Sequence, residues 1–276
     1  MYDRHSDNDE PLEDNTIAIP LCSKRTKRMQ RKRAKREQKR REPASLLQLP
    51  AELLVEIMQY LRPSDVFNCA RVNYFLSFCV FRNANAIGRE IIKRRYAILT
   101  QCFPIPTLMS HVDPEVQAVL ITPDREALVA IHKKPYQHIQ PPDPYFTCTC
   151  LTCILTWNNL SLIVDFAHWQ ENLDNGEPIP MLPRGQKTEW NKELVDQNAA
   201  VVRKALRNTL WYAQILERHL QSTVRAIRRH QGNKGNKRRH FDMTEVDAQK
   251  GTDEFLAKSG PPSLEFPFHR DNYYLL

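Results

Sequence analysis

Between Leu46 and Val80 the chain reads LLQLPAELLVEIMQYLRPSDVFNCARVNYFLSFCV, two short amphipathic helices in succession, each with its own start signal. Pro50 suits a first helical position, where its missing N–H is one of the donors a helix start leaves unpaired, and Glu52 places an anion in the first turn. Leu53, Leu54, Ile57, Met58 and Leu61 then follow i, i+1, i+4, i+5, i+8, the spacing of one apolar helix face. Arg62-Pro63 stops that helix. Ser64 or Asp65 can cap the next, whose small apolar face is Val66, Cys69, Ala70 and Val72.

Helices of about ten residues are marginal alone and cannot bury this much Leu, Ile and Val between themselves. They need a partner surface. The run Leu49-Pro50-x-Glu52-Leu53-Leu54-x-x-Ile57-x-x-Tyr60-Leu61-x-x-x-Asp65-Val66-x-x-Cys69-x-x-Val72 resembles the F-box, in register and without gaps. Beyond it, where that family usually has a small residue, a basic residue and an aromatic two positions on, this chain has Asn73, Tyr74 and Leu76, with Phe75 displaced by one. The resemblance implies a three-helix module that docks onto a Skp-type adaptor and, through it, a cullin RING ligase of the SCF type. Leu49, Pro50, Leu53, Leu54, Ile57, Leu61, Val66 and Val72 are the side chains expected at that contact. FAHWQ at Phe166 to Gln170 and LEFPFHRDNYY at Leu264 to Tyr274 are also similar to extensions of F-box proteins in filamentous fungi, which implies no particular substrate.

With 276 residues and 41% apolar side chains the chain can build a substantial core. Glycine is scarce at 7 and proline frequent at 19, which disfavours glycine-dependent hairpins and suits helices joined by proline-rich connections. The expected fold is mainly α: the three-helix module, then a helical domain around one long central helix. Domain boundaries fall at 1–44 for a disordered basic tail, 45–100 for the F-box module and a linking helix, and 101–276 for a substrate-binding domain. Seven cysteines in this length read as reduced thiols, not a disulfide framework. The N-terminus opens into an acidic run without a signal peptide, and no apolar window is long enough for a membrane span, so a soluble intracellular chain is expected.

The net charge of +8 is concentrated. Lys24, Arg25, Lys27, Arg28, Arg31, Lys32, Arg33, Lys35, Arg36, Lys39, Arg40 and Arg41 stand against the single acid Glu37, which leaves the rest of the chain slightly acidic. A block this basic, without aromatics to stack on bases, reads first as a nuclear import signal for an importin, giving a nuclear and cytoplasmic distribution. Phosphate binding to nucleic acid ranks second and a solvated tail third. Repulsion between like charges is expected to keep the free block extended, with helix forming on contact with a surface.

Downstream, Ala86 to Gln101 reads as one helix, with Ile87, Ile91, Tyr96 or Arg95, and Ile98-Leu99 inward and Arg89, Lys93 and Arg94 outward. Residues 103–144 hold eight prolines, and the helix start there is Thr122-Pro123-Asp124, with a helix running to about Lys133. Asp174-Asn175-Gly176 ends the apolar helix that begins after Cys153. From about Glu189 to His230, after Thr188 as N-cap, no Pro or Gly interrupts the chain, and Leu194, Val201, Ala205, Tyr212, Leu216, Leu220, Val224 and Ile227 form a stripe. One spine helix of about 60 Å, with room for a kink, is the expectation. A last helix covers Thr244 to Lys258, with Gly251 as a point of division.

Cys148-Thr149-Cys150-Leu151-Thr152-Cys153 is the stretch that raises metal chemistry. Three thiolates could fill three corners of a zinc tetrahedron, with Cys102, His132, His138 or His168 as the fourth. No second closely spaced ligand pair exists, and an apolar helix follows, so packed core thiols are favoured and no cofactor or metal is expected. His269-Arg270-Asp271 shares only spelling with a kinase catalytic loop, and no Walker A, H-E-x-x-H or G-x-S-x-G motif is present. The expected function is therefore a non-enzymatic adaptor that presents an unidentified protein substrate to the ligase. The alternative is a nuclear, nucleic-acid-associated protein that works through its basic tail.

Overall fold

Helices account for most of the computed structural model, which describes residues 23–41, 48–125, 127, 139–180, 188–232 and 243–259. The N-terminal residues before Ser23, the continuation of the helix expected to reach Lys133, His132, His138 and LEFPFHRDNYY lie outside the described residues. Residues 1–49 and 50–276 form two units. In the first, α1 spans Lys24–Arg41. The extended state expected from charge repulsion is not what the structure has. Ser23 starts the helix: its Oγ accepts from the Thr26 N–H at 3.1 Å and its carbonyl from the Lys27 N–H at 3.0 Å. Lys, Arg and Gln lose little rotamer freedom in a helix, and no Pro or Gly interrupts the run.

The second unit begins with α2 (Ala51–Met58), α3 (Pro63–Val72), α4 (Tyr74–Arg82) and α5 (Ala84–Arg95). Pro50 is the N-cap of α2 and not its first helical residue, with φ −54° and ψ 146°, and its carbonyl accepts from the Leu53 and Leu54 N–H groups. Arg62, not Ser64 or Asp65, is the N-cap of α3, because Pro63 takes the first helical position. Asn73 caps α4 by accepting the Leu76 N–H on its Oδ1 at 2.8 Å. Of the inward candidates Ile87, Ile91, Tyr96 and Leu99 are buried, Arg95 and Ile98 only half-buried, and Arg89, Lys93 and Arg94 lie outside. The single helix expected from Ala86 to Gln101 is two, however. α5 stops at Arg95, Tyr96 turns the chain, and α6 (Leu99–Cys102) restarts it. The restart is made from a distance: Asp253 Oδ2 accepts the N–H groups of both Ile98 and Leu99 at 2.8 Å.

α7 (Pro114–Leu120) opens on Asp113, whose Oδ1 accepts the Glu115 N–H, with Pro114 at the first helical position. It is an additional helix in the proline-rich stretch; helical residues begin again at Pro123, as predicted. Among the described residues the extended pairing is a single antiparallel bridge, Leu108 to Thr147. It leads into α8 (Leu151–His168) and α9 (Gln170–Asn175), closed by Gly176 in the left-handed region at φ 70°.

The 40-residue spine is broken into α10 (Glu189–Arg207) and α11 (Thr209–Gly232). Asn208 sits between them with φ −143° and ψ 114°, and its Oδ1 accepts the Leu210 N–H at 2.9 Å, so an ordinary N-cap residue ends one helix and starts the next. α11 keeps the central role expected of the spine. It packs against α3, α5, α8 and α10, which accounts for buried residues on more than one of its faces, among them Leu210, Tyr212, Ala213, Leu216 and Leu220. The C-terminal helix divides at Gly251, φ 64°, into α12 (Glu245–Lys250) and a 3-10 turn at Glu254–Ser259. No described helix is long and apolar enough to cross a membrane.

Candidate functional site

The apolar spacing of α2 resolves into two faces. Leu54 and Met58 point inward, 1% and 3% exposed, while Leu53 and Ile57 remain 45% and 41% exposed. The inward pair, with Val66 and Ala70 of α3 and Leu76, Cys79 and Val80 of α4, fills the interior of the three-helix unit and its contact with α5. Of the side chains expected at a partner contact, Leu54 and Val66 are therefore core. Leu53, Ile57, Pro50 and Val72 are on the surface, and Leu49 and Leu61 are half-buried.

The outer surface carries apolar residues that the spacing argument omitted. Tyr60, Tyr74, Phe75, Phe78 and Phe81 are all exposed. Tyr74, Phe75, Phe78 and Phe81 follow i, i+1, i+4, i+7 on α4, so the signal was present in YFLSFCVF as a second helical stripe. Cations flank it: the Arg82 guanidinium lies 5.5 Å from the Phe78 ring centre and Arg94 lies 4.1 Å from that of Tyr60. Such cation–π pairs cover part of the exposed aromatic surface with a charged group. A row of exposed aromatics along one helix is the kind of surface that marks a partner contact.

This unit is not independent of the helices behind it. The Ser64 N–H and hydroxyl donate to Glu217 Oε2 and Oε1 at 2.8 and 2.7 Å, and the Phe67 ring packs against that of Trp211, 4.6 Å between centres and tilted by 45°. Arg95 donates to the Tyr60 carbonyl at 2.6 Å and to the Lys250 carbonyl at 3.2 Å. α2 and α3 are thus held in place from α5, α11 and α12.

Elsewhere, a groove of about 460 Å³ runs between α8, α10 and α11, lined by Val164, Leu194, Asn198, Arg218, Gln221 and Arg225 among others. The basic residues from Lys24 to Arg36 on α1 are exposed, as a solvated or polyanion-binding helix requires.

The three cysteines come together. The Leu108–Thr147 bridge lets the Cys148 N–H donate to the Thr107 carbonyl at 2.9 Å, which sets Cys148 beside the first turn of α8. The Sγ atoms of Cys148, Cys150 and Cys153 all lie within 4.8 Å of one another. Of the fourth ligands considered from sequence, His168 sits 15 positions beyond Cys153 on α8, roughly 22 Å away along a helix axis. Cys102 is buried outside the cluster.

A family model described as F-box-like matches residues 46–84, which are α2, α3 and α4 with their flanks. No curated protein and no solved structure matches the chain. The chain carries an F-box-like domain.

Proposed function

From the F-box-like domain, we propose that this protein is a non-enzymatic adaptor of an SCF-type ubiquitin ligase, binding a Skp-type protein and presenting a substrate. The observation that supports this reading is the division of labour within α2 to α4: Leu54, Met58, Val66 and Leu76 already give the domain an interior, so Leu53, Ile57, Val72 and the α4 aromatics are surplus to folding. Apolar side chains not needed for the fold are available for binding. The region from α6 onward, with its polar-lined groove between α8, α10 and α11, is the part that would receive substrate. Co-purification of the full chain with a Skp-type adaptor tests the reading: Leu53→Asp with Phe78→Asp should abolish capture while the helical circular dichroism signal is kept. Capture undiminished by both charges refutes it.

α1 supports a second role. Its cations, exposed from Lys24 to Arg36, fit an import signal read by an importin, and removal of 24–41 should move a fluorescent fusion from nucleus to cytoplasm. If α1 instead binds nucleic acid as its main task, binding falls steeply with salt, whereas adaptor capture through an apolar face does not.

A further inference from the structure

We propose that Cys148, Cys150 and Cys153 form a metal site, three thiolates holding one thiophilic d10 cation, either zinc with water as fourth ligand or three-coordinate cuprous copper. The inference departs from the sequence expectation of packed core thiols. What the linear pattern lacks, and the fold supplies, is convergence from two sides: Cys148 arrives on the strand-like segment fixed by Thr107, while Cys150 and Cys153 arrive as the N-cap and third residue of α8.

Backbone donors meet two of the three sulfurs. The Thr107 N–H points at Cys153 Sγ at 3.4 Å and the Cys150 N–H at Cys148 Sγ at 3.5 Å. Backbone N–H groups aimed at sulfur favour the thiolate and orient it, as outer-shell donors do at metal centres.

The three thiols lie within 4.8 Å of one another, and Cys148 and Cys153 are buried. An ion about 2.3 Å from each sulfur needs the sulfurs roughly 3.8 Å apart, so side-chain rotations of less than an ångström or so close the set around it. Cys150 is only partly buried, which leaves one side of the cluster for a water or for nothing. Soft thiolate ligands select zinc or cuprous copper over harder ions. Binding moves the thiol protons to buffer and changes no oxidation state.

The test uses the full chain, purified reduced and without chelator. Elemental analysis should give about one zinc or one copper per chain, the element deciding between the two forms, and it should be lost in Cys150→Ser and in Cys153→Ser but retained in Cys69→Ser. Should either serine variant fail to fold by circular dichroism, the wild-type chain answers alone: after stripping, titration with cobalt(II) should produce thiolate-to-cobalt charge-transfer absorption that zinc abolishes. Absence of bound metal together with no such absorption overturns the proposal. So does metal retained in a folded Cys150→Ser variant, or recovery of a Cys150–Cys153 disulfide from protein alkylated without reductant.

Discussion

Glu217, 3% exposed in the middle of α11, closes the N-terminus of α3 through Ser64, 153 positions earlier in the chain. One carboxylate oxygen takes the backbone N–H and the other the hydroxyl, and the carboxylate lies where the helix dipole favours an anion. A cap normally comes from the residue before the helix, but Arg62 makes no side-chain cap. The F-box-like domain therefore depends on the far helix for the start of its second element. Burying a carboxylate is costly, and these two charge-assisted bonds offset that cost.

Removing the carboxylate should be felt in global stability. Glu217→Leu leaves the Ser64 N–H and hydroxyl without their acceptor, and a loss of about 1–3 kcal/mol in urea unfolding is expected, against about 1 kcal/mol for Ser64→Ala, which deletes a single bond. The double variant should be less destabilised than the sum by about 0.5 kcal/mol or more. Strict additivity would mean that the pair is not coupled.

Neighbouring leucines on α2 should separate folding from binding. Leu54→Ala empties a fully buried position and should cost about 2–5 kcal/mol. Leu53→Ala, at a half-exposed position, should leave stability within about 0.5 kcal/mol. If Leu53 is a central anchor for the adaptor, the same change should weaken capture by roughly 30-fold, about 2 kcal/mol. Thermal unfolding and calorimetric titration with a Skp-type adaptor read the two effects apart. Equal stability losses at both positions would deny that α2 has two faces.

How far the sequence carried this picture depends on the range of the interaction involved. The inward set Ile87, Ile91, Tyr96 and Leu99 was legible because it is a local periodicity. Gly176 was legible as a stop too, although it closes the short α9, and the apolar helix expected to reach it ends at His168. What one helical stripe could not reveal on α2 was that adjacent apolar positions, Leu53 and Leu54, diverge by about 100° and face different environments. The breaks at Tyr96 and Asn208 escaped for different reasons. Asn208-Thr209 was a readable cap, passed over because tertiary context decides whether a tolerable helix residue becomes a break; here Asn85 Oδ1 accepts the Thr209 N–H at 2.9 Å and fixes it. Tyr96 carries no such signal, since the groups that restart α6 belong to Asp253. α7 was announced by Asp113-Pro114-Glu115, the same cap, proline and acid order as Thr122-Pro123-Asp124. The cysteine cluster was legible as composition and not as geometry, because Cys148 reaches it only through the Leu108–Thr147 bridge.

Asp253 gives the protein a pH dependence of unusual sign. Burial raises its carboxyl from 3.8 to about 6, although the Leu99 and Ile98 N–H groups pull the other way. A folded value above the unfolded one means that the folded chain binds the extra proton. The contribution is full below about 4 and is lost as pH rises through about 6, worth up to about 3 kcal/mol. Both N–H groups donate to the same oxygen, Oδ2, so the amide of Asn can keep them. Asp253→Asn should therefore melt higher than the parent at pH 7.5, and the difference should vanish by about pH 4. A constant difference across that range would assign the effect to packing instead of charge.

Gly88 records how closely α5 approaches the start of α11. A Cβ built there would lie 2.5 Å from the Leu210 nitrogen and from the Thr209 carbonyl carbon, both backbone atoms that cannot rotate away. In an exposed helix interior, replacing glycine with alanine gains about 1 kcal/mol by propensity alone. Here the sign should reverse. Gly88→Ala must push the two helices apart, and because Thr209 is held by Asn85 of the same α5, the shift also strains the bonds that fix the break at Asn208. A net loss of about 1–3 kcal/mol is expected, as for overpacked cores. Gly176 supplies the contrast: nothing lies within 4 Å of its Cβ position, but its φ of 70° is unfavourable to alanine, so Gly176→Ala should cost only about 1 kcal/mol and leave the helix packing intact. Tryptophan fluorescence distinguishes the two mechanisms, since Trp211 lies one position beyond the clash and should report a changed environment in Gly88→Ala alone. A stabilised Gly88→Ala variant would show that α5 and α11 do not pack at backbone contact.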